Sequence, residues 1–160
     1  MMPAAIGVDL VDVAAFGEQL GQEGSVFHQV FTAREWNAAT RFAPEQGASS
    51  QELSTRSLQS LAARWAAKEA FIKAWSSLYF GSEDPVQSSD INWADIEVVC
   101  DRWGRPLLRF HGRIASALRQ TERDLERSVC WLLSLSHDGN YAIAWVSANS
   151  YDLTRPKDFS

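Results

Sequence analysis

The chain has 160 residues, 46% of them hydrophobic and 22% charged, with a net charge of −5. That is the size of one domain with room for a real core, and the negative balance argues against a protein that binds nucleic acid through bulk positive charge. No apolar run is long enough to span a bilayer, and the Asp9 carboxylate interrupts the first hydrophobic stretch where a signal peptide would continue.

In chain order, residues 4–10 (A-A-I-G-V-D-L) read as a short buried strand with Asp9 near its end. Asp9 and Asp12 both precede a helix-like V-A-A-F-G-E-Q-L, so either can be its cap or a placed ligand. Thr32 and Glu35, three apart, form a capping-box signature for a helix through about Phe42. Residues 43–55 are polar with Pro44 and Gly47 and read as a mobile loop. A long helix follows to about Leu78, and residues 81–89 form a second mobile loop. Residues 96–100 (I-E-V-V-C) and 107–110 (L-L-R-F) flank D-R-W-G-R-P as a hairpin. A helix begins at His111 or Gly112, residues 121–127 form a charged connector, and residues 129–135 and 141–146 are strands joined through Asp138-Gly139-Asn140. The expected order is β-α-α-α-β-β-α-β-β, an α+β fold with a largely antiparallel sheet packed against a long central helix. Residues 1–149 form one domain and residues 150–160 a polar tail. Cys100 and Cys130 fall in expected strands with no second thiol nearby, which reads as buried free thiols in a reducing cytoplasm. The seven tryptophans are spread along the chain, which suggests packing rather than one binding box.

The central helix is where the chemistry concentrates. Residues 57–75 contain no Gly or Pro and are apolar around most of the girth, yet Arg64, Lys68, Glu69 and Lys73 sit within them. Arg64 and Lys68 are four apart, as are Glu69 and Lys73, so the four read as one charged stripe. The plain alternative is a solvated Glu69–Lys73 pair beside two solvated cations. A single acid among three bases suits a divalent cation beside a polyanion, the carboxylate on the metal and the cations on phosphate oxygens. Asp9 is the acid to pair with Glu69 at such a site. His137, in a strand-to-turn position, is either a packing residue or a donor to a phosphate oxygen. No further His or Cys accompanies it, so catalytic zinc is not expected.

These residues resemble the 4′-phosphopantetheinyl transferases, most closely the small holo-acyl-carrier-protein synthases. The likeness rests on residues 6–10 (I-G-V-D-L), residues 31–35 (F-T-A-R-E), residues 62–74 with the pattern W-x-x-K-E-A-x-x-K, the D-I-E-V…D…G-x-P segment of 95–106, and L-S-L-S-H ending at His137. It implies transfer of phosphopantetheine from coenzyme A to a serine of an acyl carrier protein or carrier domain. It implies Mg²⁺ held by Asp9 and Glu69, with Lys68 and Lys73 beside the phosphates. Arg64 and His137 match positions near the 3′-phosphate, and Gly104, Arg105 and Pro106 match a segment bordering the adenine. Glu69, or a metal-bound water acting near it, is the candidate base, and Lys73 would assist the phosphate. Val11 stands where larger relatives carry a second acid, and the single-unit length fits the small type, which implies a homotrimer with active sites between subunits. The resemblance agrees with a cytoplasmic protein free of membrane and nucleic-acid partners.

Two departures bear on the carrier. Ala15 stands where several relatives carry an Arg that grips it, and the chain is acidic where relatives are often basic. The carrier contact is then either a local basic patch, with Arg34 and Arg41 as candidates, or a more apolar surface. Two other readings stay open: a metal-dependent phosphate-ester or pyrophosphate hydrolase on the same Asp9/Glu69 site, and a binding module that has lost the chemistry.

Overall fold

The computed structural model describes residues 4–41 and 53–152. Its elements are β1 (Ala4–Asp12), α1 (Val13–Gly21), α2 (Ala33–Ala39), α3 (Thr55–Ser77), β2 (Ile96–Cys100), β3 (Pro106–Phe110), α4 (Gly112–Leu125), β4 (Arg127–Asp138) and β5 (Tyr141–Asp152). The α+β order is the one expected. β1, β5 and β4 form an antiparallel sheet with β5 in the middle, and β2 and β3 form a separate antiparallel pair. No helix among the described residues is long and apolar enough to cross a membrane.

Local chemistry explains the element ends. Asp12 is the cap of α1, its Oδ1 accepting from Ala15 N at 3.0 Å, which leaves Asp9 free for other work. The capping box of α2 is complete: Thr32 Oγ1 accepts from Glu35 N, and Glu35 Oε2 accepts from Thr32 N. That helix stops at Ala39, short of the expected Phe42, where Thr40 turns its hydroxyl onto Trp36 O. Ser54 caps α3 through Ser57 N. Most of the loop expected at 43–55 lies outside the described residues.

α3 lies across the sheet on a seam of small residues. Ala62, Ala66, Ala70 and Ala74 on the helix, and Ala142, Ala144 and Ala148 on β5, are all 0% exposed. β1 meets the helix through Gly7, where an added Cβ would fall 2.0 Å from Ala70 O and 2.6 Å from Ala74 N. Only glycine permits that backbone approach. β1 is therefore not the fully buried strand expected from its composition. Ala5 and Gly7 face the helix, and the larger Ile6, Val8 and Leu10 are exposed on the other side. Bulk goes outward because the seam has no room for it.

Larger side chains fill the flanks. Phe71 and Trp75 pack with Phe110, Trp131, Ile96 and Val98, and a second cluster joins Phe16, Leu20, Phe31 and Leu61. The tryptophans divide: Trp75 is buried, but Trp103 and Trp145 are largely exposed. The segment expected as a charged connector is the continuation of α4. Thr121 is fully buried within it, accepting from Trp75 Nε1 at 2.9 Å and from Tyr79 Oη at 2.8 Å. β5 likewise runs through Asp152, into the segment expected as a tail. Both cysteines are exposed and unbridged, against the expectation of buried thiols.

Candidate active site

Arg64, Lys68, Glu69 and Lys73 do not form one stripe; α3 sends them in three directions. Lys68 points into the protein and is 0% exposed. Its ammonium donates to Glu35 Oε2 at 3.0 Å, to Trp93 O at 3.0 Å and to Ile96 O. All three donors are used. Burial pushes its pKa down from the ordinary lysine value, and the neighbouring Glu35 carboxylate opposes that shift. Glu35 is committed as well, taking Val98 N at 2.9 Å on its other oxygen. Lys68 ties α3 to α2 and β2, so the phosphate-binding place expected for it does not fit its geometry.

Glu69 and Lys73 face β1. Lys73 Nζ lies 2.7 Å from Asp9 Oδ1 and 3.3 Å from Val8 O. The lysine thus pairs with the strand acid rather than with Glu69 one turn away. Asp9 and Glu69 line one cleft of about 290 Å³ with Ala15, Phe16 and Trp65. The Glu69 pKa is raised, first by burial and then by the Asp9 charge, while Lys73 pulls it the other way. Two carboxylates on separate elements, unfavourable to each other and open to solvent, are a donor set that a divalent cation would relieve. Asp12 lines the same cleft but its carboxylate caps α1, and among the described residues no three such side chains gather closely enough to hold an ion, so water and substrate oxygens would complete any coordination.

Arg64 serves a second cleft. Its side chain projects about 140° around the helix from Glu69, by the helical period. With Arg34, Arg41, Arg102, Cys100 and Gly104 it lines a space of about 490 Å³. Arg64 is 8% exposed; its Nη1 donates to Ser60 O at 2.9 Å, and its buried Nε has no partner among the described residues. Arg102 joins this cleft from the hairpin tip, where it lies over the exposed Trp103 ring at 3.8 Å. Sequence reading missed it, since its only signal was a second Arg beside the D-R-W-G-R-P turn. Gly104, at φ +83° with open space around it, makes that turn. Arg105 is held outside the cleft, its Nε 2.6 Å from Asp101 Oδ2, and Pro106 opens β3. His137 is exposed on β4 opposite Ala142 and lies on the wall of neither cleft within one chain.

An α+β fold with an acid pair on one cleft, a lysine bound to one of those acids, and converging arginines on another cleft defines a protein built to handle a phosphorylated ligand. The model of the 4′-phosphopantetheinyl transferase superfamily matches residues 5–146, and the chain belongs to that family. It is 44% identical over 140 residues to the holo-[acyl-carrier-protein] synthase of Corynebacterium efficiens, covering 88% of this chain and 89% of that protein. It is 41% identical over 139 residues to the enzyme of the same name from Mycobacterium tuberculosis, covering 87% and 91%. Among solved structures it resembles a Chronobacterium ammoniagenes ACPS–CoA complex, with a TM-score of 0.78, 39% identity and coverage of 93% and 98%.

Proposed function

We propose that the protein moves the 4′-phosphopantetheine arm of coenzyme A onto a serine of an acyl carrier protein, releasing adenosine 3′,5′-bisphosphate. The observation that carries this is the cleft where Asp9 and Glu69 converge beside Lys73. The serine oxygen attacks the phosphorus next to pantetheine, and the bond to the departing bisphosphate breaks. Mg²⁺ held by Asp9 and Glu69 would neutralise pyrophosphate oxygens as charge builds on them. Glu69, or a water bound to the metal beside it, takes the serine proton. Lys73 is half exposed and can swing its ammonium from Asp9 to a phosphate oxygen.

A mass spectrum of apo acyl carrier protein incubated with this protein, coenzyme A and Mg²⁺ tests the reading. The expected result is a serine-borne phosphopantetheine gain, abolished in Glu69→Gln. Breakdown of coenzyme A without any gain on the carrier would favour a hydrolase instead.

The arginine cleft is the place for the nucleotide end and its 3′-phosphate. Arg34 and Arg41, expected at a carrier patch, share that cleft with Arg64 and are here assigned to coenzyme A. Arg64→Ala should raise KM for coenzyme A about 10–100-fold, the worth of one charge-assisted hydrogen bond. It should leave KM for 3′-dephospho-coenzyme A nearly unchanged. Equal effects on both would remove the assignment.

Ile6, Val8, Leu10, Leu132, Ile143 and Trp145 form an exposed apolar face on the sheet side away from α3. A patch of that kind on a small domain calls for a protein partner, and the homotrimer supplies copies of the same chain. Because Arg64 and Glu69 project in different directions, one coenzyme A would use clefts of two neighbouring subunits, with His137 brought in at their boundary. Val8→Asp combined with Trp145→Glu should sediment as a monomer and lose transfer. A trimer that persists in this variant would exclude the face.

A further inference from the structure

Cys100 is the last residue of β2, is exposed, and stands on the wall of the arginine cleft. Four arginines line that cleft and the acid among them is already engaged. Asp101 Oδ2 is held by Arg105 Nε, and Asp101 Oδ1 accepts from Trp103 N at 2.9 Å and Arg105 N at 3.0 Å. Arg64 lines the same cleft at 8% exposure, with its Nη1 on Ser60 O and no partner on its Nε among the described residues. Burial lowers its pKa, and the largest influence in the opposite direction comes from Cys100. A thiol open to solvent and surrounded by guanidinium groups has the setting in which anionic reagents collect.

We propose that Cys100 is a thiol–disulfide exchange site for small disulfides carrying carboxylate or phosphate groups, which the arginines of the cleft hold in place. The Cys100 thiolate attacks one sulfur of the disulfide. The old S–S bond breaks, a mixed disulfide forms on Cys100, and the other half leaves as a thiolate that takes a proton from water. No net oxidant is needed beyond the disulfide itself. The adduct occupies the space that the reading above gives to the nucleotide end of coenzyme A. Modification would then close the enzyme, and a free thiol would reopen it. That consequence rests on the proposed function; the exchange does not.

Cys130 provides an internal comparison away from the cleft; it stands on the face of β4 given above to subunit contact, so each thiol's preference is the ratio of its rates with the two reagents, in which its access cancels. The full-length reduced protein is treated separately with glutathione disulfide, which is anionic, and hydroxyethyl disulfide, which is neutral, and each thiol is followed by peptide mass mapping. The expected result is a preference of Cys100 for the anionic reagent about tenfold greater than that of Cys130, one charge-assisted contact's worth. The preference should shrink with added salt and fall to within about twofold in Arg34→Ala/Arg102→Ala, whose sites are both exposed. Equal preferences at the two thiols, or a preference that survives the double substitution, would overturn the proposal. Adenosine 3′,5′-bisphosphate separates the two claims. If it slows exchange at Cys100, closure of the enzyme follows. If the charge preference holds but this ligand gives no protection, the thiol site stands and the nucleotide assignment falls.

Discussion

Lys68→Met is expected to cost about 3–5 kcal/mol of folding stability, the usual loss when one partner leaves a buried ion pair. The substitution strands the Glu35 carboxylate at 1% exposure and removes the donor shared by Trp93 O and Ile96 O. Neither carbonyl nor carboxylate gains water in exchange. Urea unfolding reads the effect as a lowered midpoint. Lys73→Met is the contrast. Its ammonium pairs with Asp9 near the surface, where such a pair is worth about 1 kcal/mol at most, so the midpoint should barely move. Transfer should fall about 100–1,000-fold, as when a fixed donor to developing charge is lost. Two lysines five residues apart on one helix would then separate into one that holds the fold and one that serves the reaction. A Lys68→Met protein as stable as the parent, with weakened coenzyme A binding, would reverse the assignment.

Gly7→Ala has the next largest expected effect. The new methyl would sit 2.0 Å from Ala70 O and 2.6 Å from Ala74 N, both backbone atoms that cannot turn aside. β1 and α3 must separate, at a cost of about 3 kcal/mol, the upper part of the usual range for overpacking. The chemical cost is larger than the stability cost implies, because β1 carries Asp9 and α3 carries Glu69 and Lys73. A shift of about 1 Å between elements that share a reaction can lower rate about 100-fold. Gly17→Ala provides the control. Its Cβ would meet the two Leu58 methyls, at 3.4 and 3.5 Å, and it lies within α1. The helical gain over Gly is about 1 kcal/mol, so that variant should melt no lower than the parent and keep its activity. Wild-type transfer by Gly7→Ala would show that the seam does not set the site.

The parts of this structure readable from sequence are those governed by local rules. The order of strands and helices follows from periodicity, and the Thr32–Glu35 box from a three-residue spacing that its own backbone satisfies. The pairing of Asp9 with the Glu69 turn was legible because strand end and helix each advertise an acid out of place. What local pattern does not carry is direction. Lys68 and Lys73 look alike on a helical wheel rich in alanine, and only the packing of α2 and β2 above α3 buries one of them. α4 looked finished at Gln120 because charge follows, but the buried Thr121 hydroxyl shows that the next turn still faces the core. β1 looked buried because its residues are apolar; the closeness of α3 reserves the interior for the small ones.

Positions 5, 7 and 9 of β1 face the helix seam and the acid cleft, and positions 6, 8 and 10 are exposed on the other side, with Leu10 also lining that cleft. One strand therefore carries two interleaved sets of side chains, and on the proposed reading neither changes alone. A change at position 6, 8 or 10 would shift how copies of the chain meet, and with it the subunit boundary that one coenzyme A would span. A change at position 7 meets helix backbone at once. The same nine amino acids would answer to assembly on one side and to the acid pair on the other, which leaves them little room to drift.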